Sequence, residues 1–129
     1  GGVGGLHAGQ LLLRAARVGE KASAVGYDWP DAAGARAKVD EELRELDAAA
    51  ASGDRAAMER ELGDVLFALA SFARKESLDP EAALRGTLDR FSARFSHAEA
   101  AARDEGRGLR ERDPAELDVL WQRAKEQVG

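Results

Sequence analysis

Two short acidic runs hold the residues best suited to chemistry: Glu41-Glu42-Leu43-Arg44-Glu45, then Glu61-Leu62-Gly63-Asp64. Both sit in segments with helical periodicity. The first has an apolar stripe of Val39, Leu43, Leu46 and Ala50, the second one of Met58, Leu62, Val65, Leu66 and Leu69. Measured from Val39, Glu42 lies at about 300° and Glu45 at about 240° around the helix; measured from Met58, Glu61 and Asp64 take the same two angles. Each helix therefore carries an i, i+3 acid pair on the same flank of its apolar stripe. The link through Gly53 is short, so the helices are expected to pack antiparallel and bring the pairs together beside the seam.

Four converging carboxylates repel. A like-charge pair 4–5 Å apart costs ~3–4 kcal/mol at an effective dielectric of ~20. Such a cluster needs a counter-cation, and an all-oxygen donor set suits a hard ion, Mg²⁺ or Mn²⁺. Spacing alone leaves open the alternative of a solvated charged face, since 33% of the residues are charged. A di-iron carboxylate bundle is excluded because it requires Glu-x-x-His on two helices. The histidines are His7, among glycines, and His97, preceded at three residues by Arg94.

Five helices must position these groups. The first runs from about Gln10 to Val25 and stops at Gly26-Tyr27-Asp28-Trp29-Pro30. The second starts after Asp31 as N-cap and reaches Ser52, with Gly53 beyond it. The third runs from Asp54 to about Ser77. Asp79-Pro80-Glu81 opens a fourth that ends near Asp104, and Gly106 and Gly108 loosen the next link. Asp113-Pro114-Ala115-Glu116 forms a capping box for a fifth helix reaching Val128. The aromatics Phe72, Phe91 and Phe95 are expected in the core. Trp29 is expected to anchor the interhelix turn, and His97 to be a half-exposed helical residue. Residues 1–9 contain five glycines and read as a flexible linker or an expression scar; residues 10–129 form one domain.

Composition agrees with an all-α bundle. Of 129 residues 44% are hydrophobic, mostly Ala and Leu, and only 5% are aromatic. A net charge of −5 argues against nucleic acid as a partner. The absence of cysteine excludes thiol catalysis and thiolate metal sites and fits a cytoplasmic setting. No apolar run is long enough to cross a membrane, and no Gly-x-x-x-x-Gly-Lys-Ser/Thr string marks a P-loop.

The acids resemble the EExxE…ExxD signature of the MazG and all-α NTP pyrophosphatase superfamily. Val25-Gly26-Tyr27-Asp28-Trp29-Pro30-Asp31 is similar to the MazG turn VGFDWPD. Glu61 to Ala70, ELGDVLFALA, is similar to the third-helix string. Arg90-Phe91-Ser92-Ala93-Arg94-Phe95 resembles KFxxRF, and Trp121-Gln122-Arg123-Ala124-Lys125 the late Trp-x-x-x-Lys. The likeness spans about Gln10 to Lys125 and is strongest to the catalytic C-terminal MazG domain.

The resemblance implies a Mg²⁺-dependent enzyme, paired as a homodimer, that cuts a nucleoside triphosphate into monophosphate and pyrophosphate. Glu42, Glu45, Glu61 and Asp64 would be metal ligands, with Glu41 behind them or orienting water. Arg90 and Arg94 would meet phosphates, and Trp121 and Lys125 the base and triphosphate. Lys38, at about 260° on the carboxylate flank, would be a further phosphate contact or an internal counter-ion. Trp121 suits base stacking or burial at a dimer seam alike. Ala93 and Leu88 depart from an Arg and an Asn common in the family, which bears on phosphate affinity and substrate preference. The competing readings are a dUTP or phosphoribosyl-ATP pyrophosphohydrolase, or a catalytically silent helical dimerisation module.

Overall fold

A computed structural model describes residues 10–129; the expected glycine-rich segment 1–9 lies outside them. The described residues are all-helical: α1 (Leu11–Ala24), α2 (Ala32–Ser52), α3 (Arg55–Lys75), α4 (Pro80–Asp104), a 3-10 turn (Leu109–Glu111) and α5 (Pro114–Val128). The caps carry out the sequence's local instructions. Asp31 and Asp54 each accept a bond from the N–H three residues on, at Gly34 and Ala57. Asp113 and Glu116 close a capping box reciprocally.

Three helices end in the same way. After α1, Gly26 N–H bonds Ser23 and Tyr27 N–H reaches back to Ala22; Gly106 and Arg107 repeat this after α4, and Ser77 and Leu78 after α3. This double closure needs a left-handed residue just past the helix. Gly26 and Gly106 supply it freely, but Ser77 holds φ 58 with a side chain present. For want of a glycine there, the sequence placed the end of α3 at Ser77, two residues beyond the observed Lys75. Gly106 likewise closes a helix rather than loosening a link.

The chain divides into two compact units, the boundary falling after Ala83 within α4. In the first unit α2 packs along α3, and α1 also packs on α3. The buried stripe of α2 is Ala35, Val39, Glu42 and Ala49, not the expected line through Leu43 and Ala50, both exposed. On α3 the buried residues are Val65, Ala68, Ala70, Ser71 and Ala73, while Leu62, Leu66 and Leu69 remain 45–49% exposed. Small side chains let the helix backbones approach closely, so the seam turns toward alanines and the leucines rotate outward.

The turn between α1 and α2 is fixed by an ion cluster that its local sequence does not announce. Asp28 takes two bonds from the Arg74 guanidinium, at 2.8 and 3.0 Å, and one from Lys75 at 3.1 Å. These cations, Arg74 foremost, hold its carboxyl far below the usual carboxylate range despite its burial. Trp29 packs over the first turn of α2, its ring 3.3 Å from where a Cβ on Gly34 would stand. Glu81, at the start of α4, accepts a bond from the Leu12 N–H at 3.0 Å and so satisfies an open donor of α1.

Gly19 is buried where Arg74 crosses α1, and a Cβ there would lie 2.8 Å from Arg74 Nε. Because Asp28 holds that guanidinium, it cannot move aside without losing its partner. Gly63, in contrast, has open space around it. Gly63→Ala is expected to stabilise the protein by about 0.5–1 kcal/mol, the ordinary helix-propensity gain. Gly19→Ala has the same gain, but overpacking of about 1–3 kcal/mol outweighs it, so its urea midpoint falls. A Gly19→Ala protein more stable than wild type would contradict the packing of Arg74 on α1.

In the second unit Ala98, Ala102, Leu120 and Ala124 form the core, with Ala101 and Leu109 against it. Arg112, its side chain only 5% exposed, donates to the carbonyls of Ala102 and Arg107 and pairs with Glu105 and Glu116. Phe91 and Phe95 are not core residues as expected. They are 54% and 43% exposed and stack on one another with centroids 6.1 Å apart. The core of this unit is three alanines and Leu120, and both rings lie outside it; Phe72, in α3, is half-buried.

Candidate metal centre

Glu42 comes from the middle of α2, and Glu61 and Asp64 from successive turns of α3. Each offers a carboxylate oxygen, and the three oxygens lie within 4.8 Å of one another. The convergence follows from the i, i+3 spacing on α3 and from the rotated seam. Glu42 is itself part of the buried stripe of α2, 8% exposed, so its carboxylate is held against the neighbouring helix.

The electrostatics are those of a site short of positive charge. Burial foremost, then the negative charges of Asp64, Glu42 and Glu45 and a hydrogen bond shared with Glu42, hold the Glu61 carboxyl above the usual carboxylate range. Glu45 lies outside the three-oxygen group but close enough for its charge to act on Glu61. Lys38 sits on the flank of the cluster, its Nζ 3.0 Å from Glu42 Oε1 and 3.4 Å from Glu41 Oε1. The bond to Glu42, with Glu41 adding, holds its ammonium above the usual lysine range. Glu41 points to solvent, its side chain 52% exposed.

The donor set fits a hard divalent cation. It is all oxygen, compact, anionic and drawn from two rigid helices, and a cation among these acids would relieve the repulsion that raises Glu61.

The other expected contacts belong to the second unit. Arg90 is exposed and bonds Thr87 at 3.1 Å. Arg94, half-buried one turn on, donates to the carbonyl of Gly129 at 2.7 Å. Trp121 is half-buried and packs on Phe91, centroids 5.2 Å apart and tilted 46°. Lys125, one turn beyond Trp121 on α5, is exposed. Arg90, Phe91 and Arg94 share α4, and Trp121 and Lys125 share α5, so the aromatic contact places two of the recognised strings against each other. Sequence reading missed the Asp28–Arg74–Lys75 cluster, because its members lie 46 and 47 residues apart and no local pattern links them.

Comparison with known proteins agrees with this geometry. Residues 33–99, more than half of the chain, match the MazG nucleotide pyrophosphohydrolase domain. The matched stretch contains α3 and all of α2 but its first residue, Ala32, and hence all the clustered acids. The chain is 40% identical over 114 residues to the nucleoside triphosphate pyrophosphohydrolase/pyrophosphatase MazG of Thermotoga maritima, covering 88% of this chain and 44% of that protein. It is 32% identical over 118 residues to the nucleoside triphosphate pyrophosphohydrolase of Escherichia coli K12, covering 90% and 45%. It is also 44% identical over 69 residues to the uncharacterized protein YabN of Bacillus subtilis, covering 54% and 14%. The chain thus spans less than half the length of these relatives. With α2 and α3 building the carboxylate cluster inside the matched stretch, the chain belongs to the MazG nucleotide pyrophosphohydrolase domain family.

Proposed function

We propose that the protein hydrolyses nucleoside triphosphates, ribo or deoxy and including non-canonical ones, to the monophosphate and pyrophosphate, clearing unwanted nucleotides from the pool. The observation that carries this reading is the convergence of Glu42, Glu61 and Asp64 within 4.8 Å, in a member of the MazG family. Glu42, Glu61, Asp64 and Glu45 would hold Mg²⁺, with Mn²⁺ as a substitute. Bound there, the ion would supply Lewis-acid polarisation of phosphate oxygens and a lowered pKa for a coordinated water.

The remaining roles fall to the chain's own groups. Glu41, or Glu45 where the metal does not saturate it, would take the proton from the attacking water. Arg90, Arg94 and Lys125 neutralise the triphosphate and then the departing pyrophosphate, and Trp121 offers a face to the base. Lys38 adds positive charge at the edge of the cluster. The working form is a homodimer. Its support is the row Leu62, Leu66 and Leu69 on α3, each nearly half exposed, an apolar strip that a second copy would cover. No helix among the described residues is long and apolar enough to cross a membrane, and a cytoplasmic setting is part of the proposal.

A panel of canonical and damaged nucleoside triphosphates, incubated with the protein and Mg²⁺ and assayed for pyrophosphate, tests this reading. Pyrophosphate and the matching monophosphate should appear in equal amounts, and EDTA should stop the reaction. Release of diphosphate and orthophosphate would defeat the assignment; no turnover of any nucleotide would favour a silent dimerisation module.

A further inference from the structure

Lys38 is, among the described residues, the one cation paired with the acid cluster. It rises from the same helix as Glu42, one turn earlier, so its ammonium is tethered at i, i+4 to the most buried of the three acids. The Glu42 side chain is 11% exposed and that of Lys38 35%, so the acid is shielded while the ammonium stays partly open to water. Among the described residues, Glu61 and Asp64 have no cation of their own within salt-bridge distance.

A divalent ion that binds this cluster must draw on the Glu42 carboxylate, which Lys38 already holds. We propose that Lys38 is a built-in competitor of the metal: a tethered counter-ion that neutralises Glu42 in the metal-free protein and is exchanged when the ion binds. This rests on the metal site read above. The exchange has two consequences. Metal affinity is set below what the four acids would give alone, so that the protein releases the ion readily. Metal binding also frees an ammonium at the rim of the cluster, where it can meet an anionic ligand.

The test is Mg²⁺ binding by isothermal titration calorimetry at about 0.15 M ionic strength without nucleotide, beside metal-free melting temperatures. Lys38→Met keeps the alkyl stem and removes the competitor. It should lower the metal-free melting temperature and tighten Mg²⁺ by about tenfold, within the range usual for two coupled sites. Lys38→Arg keeps the charge and should stay within about threefold of wild type. Arg44→Met removes a charge from the opposite face of α2 and should change affinity by less than about twofold, since distant exposed charges are screened. Equal tightening by Lys38→Met and Arg44→Met would reduce the effect to a general field and overturn the exchange. Weaker Mg²⁺ binding by Lys38→Met would overturn it too, making Lys38 a support of the bound ion. If wild-type protein binds no Mg²⁺, the metal reading itself has failed and the exchange falls with it.

Discussion

Glu42→Gln, Glu61→Gln and Asp64→Asn should each lower nucleoside triphosphate turnover on the order of 10²–10³-fold, the loss typical when one charge-stabilising group is removed from an active site. The helical circular dichroism signal should be kept, because each change is isosteric and leaves the packing of α2 on α3 in place. Glu59→Gln, on an exposed residue outside the group, is the control and should turn over like wild type. Variants that retain most of the wild-type rate would remove the acids from the site.

Glu61→Gln carries a second expectation of opposite sign. The Glu61 carboxyl is held above its ordinary range by burial and by Asp64, Glu42 and Glu45. Its charged form is therefore disfavoured in the folded state, and it subtracts stability once the pH exceeds its folded pKa. That loss is recovered as the pH falls through the folded pKa. Metal-free Glu61→Gln should melt above metal-free wild type at neutral pH, with the gap closing on mild acidification. Asp28 works in the other direction: lowered by Arg74 and Lys75, it adds stability above the ordinary carboxylate range and loses it as the pH falls toward its folded pKa. Asp28→Asn should therefore weaken the protein at neutral pH and least in strong acid.

Hydrolysis of ATP in ¹⁸O-labelled water should place the label in AMP and leave pyrophosphate unlabelled, an all-or-none outcome. The proposed chemistry is that of a carboxylate cluster, and the backbone phosphate cradle of a P-loop, which directs attack to the γ-phosphorus, is missing from the sequence. Pyrophosphate departs well once its charge is neutralised, so attack at the α-phosphorus is accessible. A covalent intermediate is disfavoured. The chain has no cysteine, and His97, the one histidine among the described residues, stands outside the acid group. Label in pyrophosphate would mean attack at the β-phosphorus and would overturn the leaving-group role proposed for Arg90, Arg94 and Lys125.

Much of this protein is written locally. Asp31, Asp54 and Asp113 are followed by helices because a short side-chain acceptor three residues ahead of an open N–H needs nothing distant to act. Alanine and leucine content settles the helical class for the same reason. The i, i+3 spacing of Glu42 with Glu45, and of Glu61 with Asp64, is likewise a property of the chain alone, as is the ordered set of strings that resemble MazG.

Tertiary structure decided which face of each helix turns inward. An alanine-rich helix presents several faces of similar hydrophobicity, so periodicity favoured the leucines, whereas close backbone approach selected Ala35, Val39, Glu42 and Ala49. That rotation of the seam buries Glu42 and groups its carboxylate with those of Glu61 and Asp64, with Glu45 near but outside the group, although the spacing treats all four alike. The Asp28 cluster and the tilted packing of Phe91 on Trp121 were likewise beyond the sequence. Each joins residues far apart in the chain, and whether such charges and rings meet depends on helix packing that no local pattern encodes.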